Sequence, residues 1–193
     1  MKQYLLAAVA ATVLFCSNAH AEAFNGAYAG AVVGYDKLSL KASSGGISTK
    51  VSGDGVAGGL MFGYNAKVSN AFVIGAEIEG VIGGGKVSDG IDTVNTDYSA
   101  NASLRAGFLA GEKALIYGKV GYGRTRVKAD GESDSGGGFA FGGGIEAALS
   151  DKVSARIAYT RTNYSISDDL QAVAGADIDL NRDQVMAGVA FHF

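Results

Sequence analysis

The chain has 193 residues, of which 30 are Gly, none Pro, none Trp and one Cys; its net charge is −3 and only 18% of residues are charged. Gly costs a helix roughly 1 kcal/mol per residue, which argues against long helices; the lack of Pro excludes collagen, and 48% apolar content excludes a disordered chain. The mildly acidic balance carries no basic footprint for nucleic acid, and what remains is one β-rich domain whose glycines sit where space is tight.

The N-terminus reads as an address. Lys2 gives a positive start, and Leu5 to Phe15 is apolar but about half the ~20 residues that a membrane-spanning helix needs. Ala19-His20-Ala21 forms an A-x-A cleavage site, so residues 1–21 are expected to be a cleaved signal peptide and 22–193 the working domain. Cys16 raises lipid attachment, but bulky Phe15 precedes it and the A-x-A site lies downstream. Cleavage leaves no Cys and a single His, His192, so neither a disulfide framework nor a Cys/His metal site is available.

Period-two alternation then runs along the chain. It is loose over residues 27–40 and 56–65. It sharpens in the third segment, where Phe72, Ile74, Ala76, Ile78, Gly80 and Ile82 share one face and Val73, Gly75, Glu77, Glu79 and Val81 the other. In the fourth, Tyr98, Ala100, Ala102, Leu104, Ala106 and Phe108 oppose Asp97, Ser99, Asn101, Ser103, Arg105 and Gly107. Segments at 114–125, 138–149 and 153–162 follow, and 184–193 closes the series with Val185, Ala187, Val189, Phe191 and Phe193 on one face. Most predicted strands are about 9–13 residues, near the ~9–11 that a tilted transmembrane strand needs.

The connections alternate in length. Residues 66–71, 109–113 and 150–152 read as short turns, and 41–55, 83–95, 126–137 and 163–181 as long polar loops. Short turns at one end and long loops at the other, with an even strand count, is the layout of an outer-membrane barrel with both termini in the periplasm. A soluble exported β-protein is the competing reading, in which the aliphatic face points inward. Aromatic residues near strand ends (Tyr28, Tyr64, Phe72, Tyr98, Phe108, Tyr122, Tyr159, Phe191, Phe193) favour the membrane, where they form interfacial girdles. The expected fold is therefore all-β, an eight-stranded antiparallel up-and-down transmembrane β-barrel.

Lipid offers no hydrogen bonds, so such a sheet must close on itself, and eight strands leave an interior just wide enough for side chains. Glu77, Glu79, Asp97, Arg105, Lys119, Glu146 and Arg156 then point inward, with Arg182 entering the last strand as a further cation. Unpaired, each would cost several kcal/mol. The expectation is an ion-paired plug rather than an open pore.

The motifs carry a family resemblance. Phe24-Asn25-Gly26-Ala27-Tyr28-Ala29-Gly30 resembles the F-x-G-x-Y-x-G opening of small outer-membrane β-barrels. Gly58-Gly59-Leu60-Met61-Phe62-Gly63-Tyr64-Asn65 resembles their second strand, and Met186-Ala187-Gly188-Val189-Ala190-Phe191-His192-Phe193 their last. Over residues 22–193 the chain is similar to the porin-family, opacity-type group found in alphaproteobacteria, which is related to the OmpA and OmpX barrels. It ends after the eighth strand, so the resemblance implies a barrel without a peptidoglycan-binding domain. It also implies recognition by the barrel-assembly machinery through Phe191 and Phe193.

Motifs for chemistry are weak. The resembled barrel enzymes that act on lipopolysaccharide lipid use a His near the outer rim, whereas His192 falls at the periplasmic end with inward parity. Asp130-Gly131-Glu132-Ser133-Asp134 starts like a calcium loop, but Ser135 replaces the expected Gly and Phe141 the closing Glu, so a solvated loop tip is the simpler reading. Asp168, Asp169, Asp177 and Asp179 make the last loop acidic, able to bridge cations to lipopolysaccharide phosphates or merely to be solvated. Gly83-Gly84-Gly85-Lys86 lacks phosphate-loop spacing and reads as a hairpin tip. No catalytic residue, cofactor or metal is implied. The expected function is a structural envelope protein presenting loops to lipopolysaccharide, host or cell surfaces, with a narrow channel for small solutes or ions as the alternative.

Overall fold

Strands whose two faces differ in polarity need one face in each environment, and the structure meets that need by closure. The computed structural model describes residues 24–44, 47–84, 86–88, 93–111, 113–129, 132–165 and 177–193. Its elements are β1 (Gly26–Ser44), β2 (Ile47–Lys67), β3 (Phe72–Gly83), β4 (Lys86–Ser88), β5 (Thr93–Leu109), β6 (Ala114–Ala129), β7 (Glu132–Ala148), β8 (Val153–Ser165) and β9 (Asp177–His192). Every pairing is antiparallel between neighbours, and β1 pairs with both β2 and β9, so the sheet has no free edge. The short β4 pairs with β2 and β5 just as β3 does and prolongs it, which makes an eight-stranded up-and-down barrel.

The register fixes the geometry of that barrel. From Tyr28 the paired residues run Gly63, Glu77, Ser103, Gly121, Ala140, Thr162 and Arg182, and return to β1 at Leu38, ten residues higher. That stagger tilts the strands by roughly 40° and keeps the lumen narrow.

The burial pattern is inside out relative to a soluble protein. The exposed face carries Leu60, Ile78, Leu104, Ile116, Ile145 and Ile157, with Leu104 66% exposed, while Glu77 and Arg105 on the opposite face are each 3% exposed. A soluble reading buries that aliphatic face, and the structure overturns it. The apolar wall spans roughly 25 Å, the height of a bilayer core, from Phe72 and Phe108 near the short turns to Tyr35, Tyr98 and Phe139 above. Tyr28 departs from the girdle expectation: it is 1% exposed and points into the lumen.

Two predicted loops are largely strand. Residues 41–44 pair with 47–50 and 126–129 with 132–135, so the hairpins β1–β2 and β6–β7 extend far beyond the apolar wall. Water lies on both sides there, so nothing enforces an apolar face, and the alternation that marks a strand disappears while backbone pairing continues. Glu132, Ser133 and Asp134 accordingly sit in β7 rather than in a calcium loop, and Asp130 and Gly131 lie outside the described residues. Gly83 and Gly84 mark an interruption within one barrel strand, not a hairpin tip; both have positive φ, 79° and 126°, which glycine tolerates.

The inside-out pattern predicts that Leu104→Arg, near mid-wall, loses about 2–4 kcal/mol of stability in urea titrations from phosphocholine vesicles. An unchanged midpoint would place the outer wall in water.

Candidate functional site

Inward positions recur every second residue, and small ones leave volume for large ones. A side chain on Gly63 would meet the Tyr28 ring, and one on Gly75 would meet Arg105 Cγ. The space so left holds a cluster of charges at one level of the lumen. Glu77 on β3 is its centre. The Tyr28 hydroxyl donates to Glu77 Oε2 at 2.6 Å, Arg156 Nη1 on β8 pairs with the same oxygen, and Arg105 Nη1 on β5 lies 3.4 Å from it. Lys119 Nζ on β6 lies 3.8 Å from the other oxygen, Oε1.

Arg105 and Arg156 extend this centre sideways. Arg105 Nη2 reaches Glu146 Oε2 on β7 at 2.7 Å, and Arg156 Nη2 reaches Glu79 Oε2 at 3.3 Å. The Arg105 guanidinium also stands 4.0 Å from the centre of the Tyr117 ring, a cation–π contact. Three carboxylates thus meet three cations, so charge balances within the cluster. The structure brings together Glu77, Glu79, Arg105, Lys119, Glu146 and Arg156; the Asp97 side chain lies outside the described residues.

Below the cluster, Ser154 Oγ donates to Glu146 Oε1 at 2.7 Å and lies 2.8 Å from His192 Nε2. His192 Nε2 is also 3.5 Å from Glu146 Oε1. Serine, histidine and acid meet, but a proton relay needs serine on one ring nitrogen and the acid on the other. Here one nitrogen faces both. Phe24 covers the imidazole edge-on at 6.3 Å between ring centres, and His192 is 0% exposed.

A second level lies higher. Arg182 Nε donates to both oxygens of Asp36 at 2.9 Å, and its Nη2 closes a bidentate pair with Oδ2. Gly84 abuts this pair, where a side chain would strike the Asp36 carboxylate. Asp36 stands eight residues above Tyr28 on β1, about 20 Å along the tilted barrel axis. Polar side chains, including Ser99, Thr160, Thr162 and Gln184, line the lumen between the two levels.

Residues 6–193 match the model of the outer membrane protein beta-barrel domain. The chain belongs to that family. Its place is the bacterial outer membrane. Among solved structures it is similar in fold to Ail, the attachment invasion locus protein of Yersinia pestis, at 14% identity, covering 88% of this chain and 99% of that one with a TM-score of 0.51. Ail has also been solved with the heparin analogue sucrose octasulfate. Neisserial surface protein A matches at 18% identity, 88% and 98% coverage and a TM-score of 0.52. OprG from Pseudomonas aeruginosa matches at 14% identity, 91% and 99% coverage and a TM-score of 0.53. No curated protein sequence matches.

Within this outer-membrane barrel, sequence reasoning passed over two lumenal residues. Asp36 shares the even parity of Val32 and Gly34 in β1 and so was open to detection, but the loose alternation there hid it. Tyr28 fits a girdle by residue type, but its parity with Val32 and Asp36 places it on the inner face. Among the described residues, no group of three or more His, Cys, Asp or Glu is placed to hold a metal ion. Asp168 and Asp169 lie outside the described residues, while Asp177 and Asp179 belong to β9.

At the chain's end, the Phe193 amide donates to the Ala27 carbonyl at 3.0 Å, and the Phe191 and Phe193 rings meet edge-on at 5.4 Å.

Removing one member of a buried ion pair strands the other, at a cost of about 3–5 kcal/mol. Arg182→Leu is expected to lower the unfolding midpoint accordingly. Asp36→Leu added to Arg182→Leu should recover at least half of that loss, because no buried charge is then left alone.

Proposed function

We propose that this protein is a closed structural barrel that supports the outer membrane and presents its long hairpins to lipopolysaccharide, host or cell surfaces. The observation that carries this reading is the filled lumen: two balanced ionic levels stand in series across it. On this reading residues 1–21 are removed as a signal peptide, the short turns and both termini face the periplasm, and Phe191 and Phe193 are the signal read by the assembly machinery. No residue performs catalysis, and the wall serves as a rigid mount. Ail's name, with its word attachment, and its structure with a heparin analogue support a surface-binding role for a barrel of this shape.

A narrow ion channel is the second reading. It is favoured by the polar Ser99, Thr160, Thr162 and Gln184 between the two ionic levels, which share that stretch of lumen with the apolar Val32, Met61, Val81 and Met186.

Planar-bilayer recording of the refolded protein separates the two readings. The structural reading expects a silent protein that migrates differently on gels with and without boiling. Arg105→Ala combined with Arg182→Ala, which loosens both levels, should then give discrete openings. Reproducible openings in the unaltered protein would move the assignment to a channel, with Glu77, Glu79 and Arg105 as selectivity residues.

Orientation is tested separately. The processed chain has no Cys, so Ser133→Cys should react with an impermeant maleimide in intact cells and Ser150→Cys should not. Deleting residues 166–176 should abolish binding to cell surfaces while the gel shift persists. Binding that survives the deletion would remove that segment from the proposed role.

A further inference from the structure

The chain reaches β1 through a sharp reversal. Phe24 has a φ of 69° and Gly26 one of 98°, so two residues in three lie in the left-handed region. Glycine tolerates that region. An aromatic residue rarely adopts it and keeps it only where its surroundings hold it there. Two contacts do so. The Lys67 amide, at the end of β2, donates to Asn25 Oδ1 at 3.2 Å and pins the reversal to the short-turn end of the barrel. The Phe24 ring is itself fully buried, among Val73 of β3, Leu109 of β5, Leu115 and Tyr117 of β6 and Ala158 of β8.

These neighbours give the lumen an apolar floor. Val73, Leu109 and Leu115 are inward residues beside the short turns, each four positions below a member of the ionic cluster: Glu77, Arg105 and Lys119 respectively. The Phe24 ring stands within this floor, next to His192. The Nε2 of that imidazole faces Ser154 and Glu146, and its Nδ1 has no hydrogen-bond partner. The rings of Phe24 and Tyr28, 6.3 and 5.6 Å away between centres, cover it.

We propose that Phe24 is a stopper: the chain start turns back into the short-turn mouth, seats its ring in the apolar floor and closes the lumen below the ionic cluster. The proposal deepens the closed-barrel reading and rests on it, and by the orientation argued there the mouth so closed is the periplasmic one. Closure is then of two kinds. The Asp36–Arg182 pair and the Glu77 cluster close the lumen with charge, whereas the stopper closes it with an apolar ring. An apolar seal turns back ions by the cost of desolvating them. It also keeps the cluster above it in a low dielectric, where its attractions are strongest. Phe24 precedes β1, which begins at Gly26, so its ring can be cut back without breaking a strand pair.

The test uses the single histidine of the processed chain, His192, as reporter. Diethyl pyrocarbonate acylates an accessible neutral imidazole, and mass spectrometry of the C-terminal peptide reads the adduct. In the refolded, detergent-solubilised protein His192 should react at least about tenfold more slowly than in urea, because reaction waits on local opening. Phe24→Ala should recover most of the urea rate while the gel shift of a folded barrel persists. Asn25→Ala, which keeps the ring and loses the Lys67 contact, should give an intermediate rate. Phe24→Leu, which keeps an apolar stopper, should stay slow. Phe72→Ala, which removes an exposed aromatic at the same end of the barrel, should change nothing.

Labelling of the unaltered folded protein as fast as in urea would overturn the proposal. So would protection that survives Phe24→Ala in a folded barrel. Rapid labelling of a barrel that stays silent in planar bilayers would remove the stopper and leave the closed barrel standing. Openings of the unaltered protein would remove the closed-barrel reading itself, so the two failures are told apart.

Discussion

The hydrocarbon core of a membrane offers no partner to a backbone N–H or C=O, and everything else in this molecule depends on that constraint. It forbids an edge, so β1 must pair with β9 as well as with β2. At the seam the Phe193 amide bonds the Ala27 carbonyl, which continues the ladder to the last residue. Closure in turn fixes the stagger, and stagger with strand number fixes the width. The lumen has room for side chains only if many inward positions are glycine, which accounts for much of the composition.

A narrow, closed lumen then decides how its charges behave. Hydrophobic side chains of the same volume would fill it at similar or lower free energy, since desolvating an ion pair offsets most of its attraction. What the charges supply is register. A slip of one residue turns Glu77 and Arg105 into lipid and Ile78 and Leu104 into the lumen. A slip of two keeps the faces but separates Glu77 from Arg105 and Arg156, leaving buried charges alone. The ionic cluster therefore penalises every nearby misregister more steeply than an apolar core would, and Asp36 with Arg182 repeats the constraint at the other end of the wall.

The same contrast explains what could be read from the sequence. Strand identity was legible where one face meets lipid, as at Phe72–Gly83 and in the lower half of β5, because the apolar requirement is then strict. It was lost at 41–55 and 126–137, where both faces meet water and the strand is held by backbone pairing alone. Parity sufficed to place Arg105, Lys119 and Glu146 on the inner face. It could not say that Arg156 meets Glu77, 79 residues away, because a contact across the lumen depends on tilt and diameter rather than on any local pattern. The Asp36–Arg182 pair, 146 residues apart, was hidden for the same reason.

Alternation also separates two sets of roles along one strand. In β5, Arg105 belongs to the ionic cluster, and its neighbours Leu104 and Ala106 are exposed on the outer wall. Odd positions there govern closure of the lumen and even positions govern contact with lipid, with one Cα–Cα step between them. Substitutions on the two faces that lie more than about 7–10 Å apart and share no partner should act independently. A barrel wall of this kind can alter its lipid contacts without loosening its plug, and can exchange its hairpins without disturbing either. The hairpins lie where neither lipid nor lumen constrains a side chain, so that is where surface specificity has room to vary.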